Sequence, residues 1–177
     1  MSVSLILGGV KSGKSALAER LAISTKLNVT YIATATADDT AMQQRISHHQ
    51  QQRPSHWHTV EEPIQLAKVL ADHCQNNQCV LVDCLTLWLT NLLMQDNEAL
   101  LQTEIATLLD ILPNIKGKLI IVSNETNMGI MPLGDLTRRY CDEIGLLHQA
   151  IAALSDTVVL TVAGLPHILK GKLHDRV

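Results

Sequence analysis

The stretch LILGGVKSGKSALAERLA, residues 5–22, constrains the fold more than any other part of the chain. Gly8, Gly13, Lys14 and Ser15 satisfy the spacing G-x-x-x-x-G-K-[ST], with Gly9, Val10, Lys11 and Ser12 between. An apolar strand precedes the motif and an amphipathic helix follows it, the context a phosphate-cradling loop requires. Glycines let the backbone curl so that its N–H groups point at phosphate oxygens, and the helix N-terminus adds a favourable dipole. Lys14 is expected against the terminal phosphates, and Ser15 is expected to ligate Mg²⁺.

A strand–loop–helix start of this kind needs a sheet to sit on. Four short aliphatic runs read as strands: VSLIL (3–7), VTYIA (29–33), CVLVD (79–83) and LIIVS (119–123); TVVLTVA (157–163) closes the series. Helical periodicity falls between them, at 15–25, 96–112 and 136–154. Alternating strands and helices predict an α/β fold of the P-loop NTPase type (RecA-like), with a mostly parallel central sheet and helices on both faces. Near-continuous apolar strands fit burial on both sides. With 177 residues and no repeat or linker, one catalytic domain spanning 1–177 is expected.

The core must be aliphatic, since Phe is absent and only two Trp and two Tyr occur. A formal net charge of −3 without a basic stripe argues against nucleic acid as partner. The run VLVDCLTLWLTNLLM (80–94) is shorter than a bilayer needs and contains Asp83, so no membrane insertion is expected. Four cysteines without a CxxC pair read as reduced, mostly packed thiols of a cytoplasmic protein.

A phosphate loop needs an acid near its metal, and Asp83 at the end of a buried strand supplies one; capping of the next helix is the other reading of that residue. Thr34 and Thr36 end a second strand, and Asn124, Glu125 and Asn127 follow a third. In open α/β sheets the carboxyl ends of the strands are where ligands bind. No NKxD guanine-recognition motif is present, which weakens a GTPase reading, and a short acidic chain weakens a recombinase.

Four of the eight histidines lie in RISHHQQQRPSHWH, residues 45–58. A helix starting near Asp38 and Asp39 and ending before Pro54 would set Met42, Ile46 and His49 within about 60° of one another, so His49 points inward and His48 more outward. Zinc favours i and i+4 ligands or a CxxC knuckle, and neither occurs. A solvated polar loop remains open, as does a chemical role for one of the pair. A neutral imidazole is a good nucleophile toward phosphorus.

Taken in order, GGVKSGKS, YIATAT, RISHHQQQRPSHWHTVEEP, VLVDCLTLWLTNLL and VSNETNMGIMP resemble the bifunctional adenosylcobinamide kinase/adenosylcobinamide-phosphate guanylyltransferase family of cobalamin biosynthesis. The resemblance runs from Leu5 to about Gly164. It implies that ATP or GTP phosphorylates adenosylcobinamide. GTP then guanylylates a histidine, and GMP passes to the new phosphate. By this resemblance the guanylylated residue is His49, with His48 as alternate. The nucleotide contacts are Gly8, Gly9, Val10, Lys11, Ser12, Gly13, Lys14 and Ser15 of the loop, with Ala33, Thr34, Ala35, Gln50, Gln51, Gln52, Arg53, Glu61 and Asp83. Ser15 and Asp83 are the implied Mg²⁺ ligands, and a homotrimer is implied, with Leu85, Leu87, Trp88, Leu92 and Leu93 as apolar surface for subunit burial. Lys11 stands where the family commonly has Arg, Asp83 where Glu is expected, and QQQRP where a Gly is usual before the Arg.

Overall fold

The structure is a computed structural model and describes residues 2–36 and 54–173. His48, His49, Gln50, Gln51, Gln52 and Arg53, and the helix expected around them, lie outside the described residues.

Seven strands form one sheet: β1 (Ser2–Gly8), β2 (Asn28–Ala33), β3 (His58–Glu61), β4 (Gln78–Asp83), β5 (Lys118–Asn124), β6 (Thr157–Val162) and β7 (Leu165–Lys170). The helices are α1 (Lys14–Ser24), α2 (Leu66–His73), α3 (Leu85–Leu93), α4 (Glu98–Ile111) and α5 (Asp135–Leu154). The strand order is β3-β2-β4-β5-β1-β6-β7. All neighbours are parallel except β6 and β7, an antiparallel hairpin at the edge.

Alternate residues of the inner strands β1, β2, β4, β5 and β6 feed two separate apolar layers, as strand geometry requires. Val3, Leu5 and Leu7 face the side packed by Leu66 and Leu70 of α2, Trp88 and Leu92 of α3, Leu101 and Leu108 of α4, and Ile144 and Ile151 of α5. Ile6, Leu81, Ile120 and Val159 face the side packed by Leu17, Ala18 and Ala22 of α1, and by Trp57. Both faces of the sheet are thus covered, as the aliphatic strands predict.

Five expected strands and three expected helices are present, with ends shifted by one or two residues. The N-cap of α4 is Asn97, whose side chain accepts the Leu100 N–H at 3.1 Å. Strand β3 has only the sequence HTVE, with no buried residue, so its pairing to β2 is made by backbone without an apolar pattern to announce it. The run 80–94 divides at Asp83 into the end of β4 and the whole of α3.

Leu85, Trp88 and Leu92 are at most 1% exposed and belong to the protein's own core, so they offer no surface for subunit burial. Leu93 packs partly against the same core, and Leu87 partly against the opposite one. The α3 helix is apolar on most of its surface because it is wedged between the sheet, α4 and α5. Leu136 and Leu154, at the two ends of α5, are exposed, while Ile144 is buried.

Candidate active site

The parallel registers bring the carboxyl ends of six strands to one edge. Glu61 pairs with Ala33, Ala33 with Asp83, Gly8 with Asn124, and Gly8 with Thr161. Every described residue proposed to hold nucleotide lies on this edge or in the loop that springs from it.

The loop runs from Gly8 to Lys14, where α1 begins. Gly8 is required for close packing, because a Cβ there would lie 2.6 Å from the Thr161 carbonyl oxygen. Gly13 has φ +96°, the left-handed region that favours glycine, and this turns the chain into α1. The Ser12 N–H donates to the Gly9 carbonyl at 3.2 Å, and the Gly164 N–H donates to the Ser12 carbonyl at 2.9 Å, so the hairpin between β6 and β7 braces the loop. Gly9, Val10 and Lys11 are exposed at its crest. Ser12 Oγ and Thr161 Oγ1 are buried without a hydrogen-bond partner. Unpaired buried hydroxyls are costly and mark a place where a polar group is wanted.

Lys14 is 8% exposed, and its ammonium donates to the Gly9 carbonyl at 2.9 Å. Burial lowers its pKa, with Cys84 and Asp83 acting in the opposite direction. The Cys84 thiol is pushed up to about 11, chiefly by burial, and is uncharged at neutral pH, so Asp83 is the countercharge. Asp83 is half-buried and accepts the Tyr31 phenol on Oδ2 at 2.8 Å. No side-chain bond caps α3, so the capping reading of Asp83 has no support.

Thr34 is fully buried. Its hydroxyl donates to the Cys84 carbonyl at 2.8 Å and accepts the Cys84 N–H at 2.9 Å, stitching β2 to the start of α3. Its carbonyl accepts Asn91 Nδ2 at 2.7 Å, and its N–H donates to the Asp83 carbonyl at 3.3 Å. Thr34 therefore shapes this edge, and its own polar groups are already engaged.

Strand β5 lies between the loop strand β1 and the acid strand β4. The Glu125 N–H donates to the Gly8 carbonyl at 2.9 Å, tying the end of β5 to the loop. Glu125 Oε1 accepts the Asn127 N–H at 2.8 Å, and Asn127 Nδ2 reaches the Cys141 carbonyl of α5 at 2.8 Å. Beneath them lies a residue the sequence reading missed: His148, 7% exposed, 2.8 Å through Nε2 from Ser123 Oγ. Its only sequence signal is a polar residue beside Leu147 on the inner face of α5.

Mg²⁺ binding by one carboxylate, a hydroxyl and nucleotide phosphates is a common arrangement and needs no protein cage. Asp83, with Oδ1 available beside the Tyr31-bound Oδ2, fits that role, as does Ser15 at the start of α1. Among the described residues no three His, Cys, Asp or Glu side chains come together as a metal cage. His58, on β3, is exposed and stacks loosely on His73 with ring centroids 5.6 Å apart.

The family described as "Cobinamide kinase / cobinamide phosphate guanyltransferase" matches residues 4–169. The "Bifunctional adenosylcobalamin biosynthesis protein CobP" of Pseudomonas aeruginosa is 55% identical over 168 residues, 95% of this chain and 97% of that one. The "Bifunctional adenosylcobalamin biosynthesis protein CobU" of Escherichia coli is 37% identical over 174 residues, 91% of this chain and 96% of that one. Among solved structures, the RadB recombinase superposes with a TM-score of 0.53 at 14% identity, covering 90% of this chain and 73% of that one. At that identity the likeness concerns the fold alone, a recombinase-type α/β sheet.

Proposed function

Because the chain belongs to the cobinamide kinase / cobinamide phosphate guanyltransferase family, we propose that the loop at residues 8–15 holds the nucleotide for both of that family's reactions. The protein is a bifunctional enzyme of cobalamin biosynthesis. The observation that carries the site assignment is the loop itself. A buried Lys14, an unpaired Ser12 hydroxyl and Asp83 meet at the edge where β1 and β4 end.

In the kinase reaction, ATP or GTP donates its γ-phosphoryl group to the aminopropanol hydroxyl of adenosylcobinamide. Lys14 offsets charge on the transferring group, and the loop N–H groups orient it. Ser15 and Asp83 would hold Mg²⁺, which supplies charge neutralisation between the phosphates. In the second reaction, the neutral imidazole of His49 attacks the α-phosphorus of GTP. Pyrophosphate leaves and a guanylyl-histidine remains. A phosphate oxygen of adenosylcobinamide phosphate then attacks that phosphorus and releases the histidine. His49, with Gln50, Gln51, Gln52 and Arg53 after it, enters this reading through the family resemblance, as do the nucleotide contacts of Glu61 and Ala33–Thr34–Ala35. One catalytic domain, a homotrimer and a cytoplasmic location complete the proposal. No helix of the described residues is long and apolar enough to cross a membrane.

Labelling tests the assignment. Enzyme incubated with α-labelled GTP and then denatured should keep the label through an acid-labile, alkali-stable bond, and γ-labelled GTP should leave none. His49→Ala should lose the α-label while retaining much of its kinase activity, because phosphoryl transfer to an alcohol needs no protein nucleophile. His48→Ala should keep the label. Label retained in both single variants and in the double variant would rule out the histidine intermediate.

A further inference from the structure

A line of polar groups runs inward from the end of β5. The Asn124 N–H donates to Thr86 Oγ1 at 2.8 Å, and Thr86 Oγ1 lies 3.3 Å from Ser123 Oγ. Ser123 Oγ lies 2.8 Å from His148 Nε2, and His148 Nδ1 lies 3.8 Å from Glu125 Oε2. Ser123 is fully buried, and the Glu125 side chain is 16% exposed.

The order of atoms resembles a serine–histidine–acid triad, but burial excludes that chemistry. No substrate carbonyl can reach Ser123 Oγ, and the one member open to solvent is the acid. The direction of the line must therefore be read from its buried end toward Glu125. A ring lone pair facing a carboxylate would be repelled, so Nδ1 carries the proton and Nε2 accepts from the Ser123 hydroxyl. Thr86 can in turn donate to Ser123. Each hydroxyl then has a donor and an acceptor, and the line terminates with the Nδ1–H facing the Glu125 carboxylate. The 3.8 Å separation is too long for a hydrogen bond, so this last link is an electrostatic one. Burial lowers the pKa of His148 and Glu125 raises it, with burial the larger influence, which suits a neutral ring. Nothing in the loop's own architecture requires this line, since Glu125 is tied to Gly8 by its backbone alone.

We propose that Ser123 and His148 are positioning residues that hold the Glu125 carboxylate beside the phosphate loop, where it accepts the proton of the alcohol that is phosphorylated. The proposal rests on the kinase reading above. The alcohol oxygen forms its bond to the γ-phosphorus as the bond from that phosphorus to the β-bridging oxygen breaks. The alcohol proton passes to Glu125, and the nucleoside diphosphate leaves with the electron pair. Glu125 suits the task by location, because β5 lies between the strands that carry the loop and Asp83. Its Oε1 is fixed by the Asn127 N–H, and Oε2 is steered by His148.

Steady-state kinase assays with adenosylcobinamide, alongside equilibrium nucleotide binding, test the proposal. Glu125→Gln should lower kcat by about 100-fold or more, the usual size of a lost general base. Ser123→Ala and His148→Gln should each lower kcat by about tenfold with the KM for nucleotide unchanged. The Glu125→Gln/His148→Gln pair should be no slower than Glu125→Gln alone, since the histidine acts only through the acid. Ser123→Ala, which removes one oxygen, carries the test if His148→Gln fails to fold. Wild-type kcat in Glu125→Gln, multiplicative losses in the pair, or weakened nucleotide binding in Ser123→Ala would each overturn the relay. Lys14→Ala separates the two readings, because it should lose nucleotide affinity as well as turnover. Unchanged affinity and turnover in Lys14→Ala would overturn the phosphate-loop assignment instead.

Discussion

Asp83 illustrates how one side chain can be prepared for an ion. Its Oδ2 is held by Tyr31 from the neighbouring strand, and its charge is felt at the buried ammonium of Lys14. A carboxylate fixed on one oxygen loses little further freedom when the other takes a metal ligand's place. Asp83→Asn keeps the shape and the phenol contact while removing the charge. The expected outcome is a rise in the Mg²⁺ concentration needed for half-maximal turnover, with partial recovery in Mn²⁺ and an unchanged thermal midpoint. A lowered midpoint with unchanged metal dependence would make Asp83 a structural residue, with Tyr31 as its purpose.

Among the elements, α3 links the core to the site. Its first turn follows Asp83 directly, Thr86 touches Ser123, and Asn91 secures Thr34. The helix is anchored by Trp88, which is fully buried and donates its indole N–H to the Ile64 carbonyl at 2.7 Å. Removing that ring would leave a large void and take one of two donors from the Ile64 carbonyl, which also accepts the Leu66 N–H at 3.0 Å. Trp88→Ala should destabilise the fold by about 3–5 kcal/mol, and urea unfolding measures it. Trp88→Phe should lose less, because most of the packing returns and only the hydrogen bond is missing. Equal losses for the two variants would show that the bond, and not the volume, anchors the helix.

At the scale of the whole molecule, the sheet's two apolar layers bury three of the four thiols. Cys74, Cys79 and Cys84 are buried, and burial chiefly pushes their thiols up to about 12, about 11 and about 11. Only the thiolate reacts with a disulfide reagent. At pH 8 the folded protein should therefore show fast labelling of Cys141 alone, which is half-buried. All four thiols should label once the chain is unfolded in denaturant. Rapid labelling of more than one thiol in the native protein would show that the layers open far more readily than their packing implies. Exposed apolar side chains gather elsewhere, at Met128, Ile130, Met131 and Leu133 before α5 and at Leu165, Ile168 and Leu169 on β7.

The sequence by itself determined the phosphate loop, its strand and helix, and the alternation that makes a parallel sheet. These are local facts. Glycine spacing is dictated by backbone geometry within a few residues, and a strand buried on both faces must be aliphatic along its length. It also showed Asp83 at a strand end, because the change from apolar to charged is visible in the run 80–94. Tertiary structure alone decided the rest. Strand β3 has no apolar signature, since an exposed edge strand is held by hydrogen bonds that any residue can make. The apolar run after Asp83 reads equally as interface or core, and only its position between sheet and helices makes Leu85, Trp88 and Leu92 core. The neighbours of Glu125 come from α3 and α5 as well as β5, with Thr86 and His148 separated by 62 positions in the chain. No pattern in sequence joins residues so far apart. What joins them is the order of strands, which places β5 beside the loop and lets α3 and α5 close over its end.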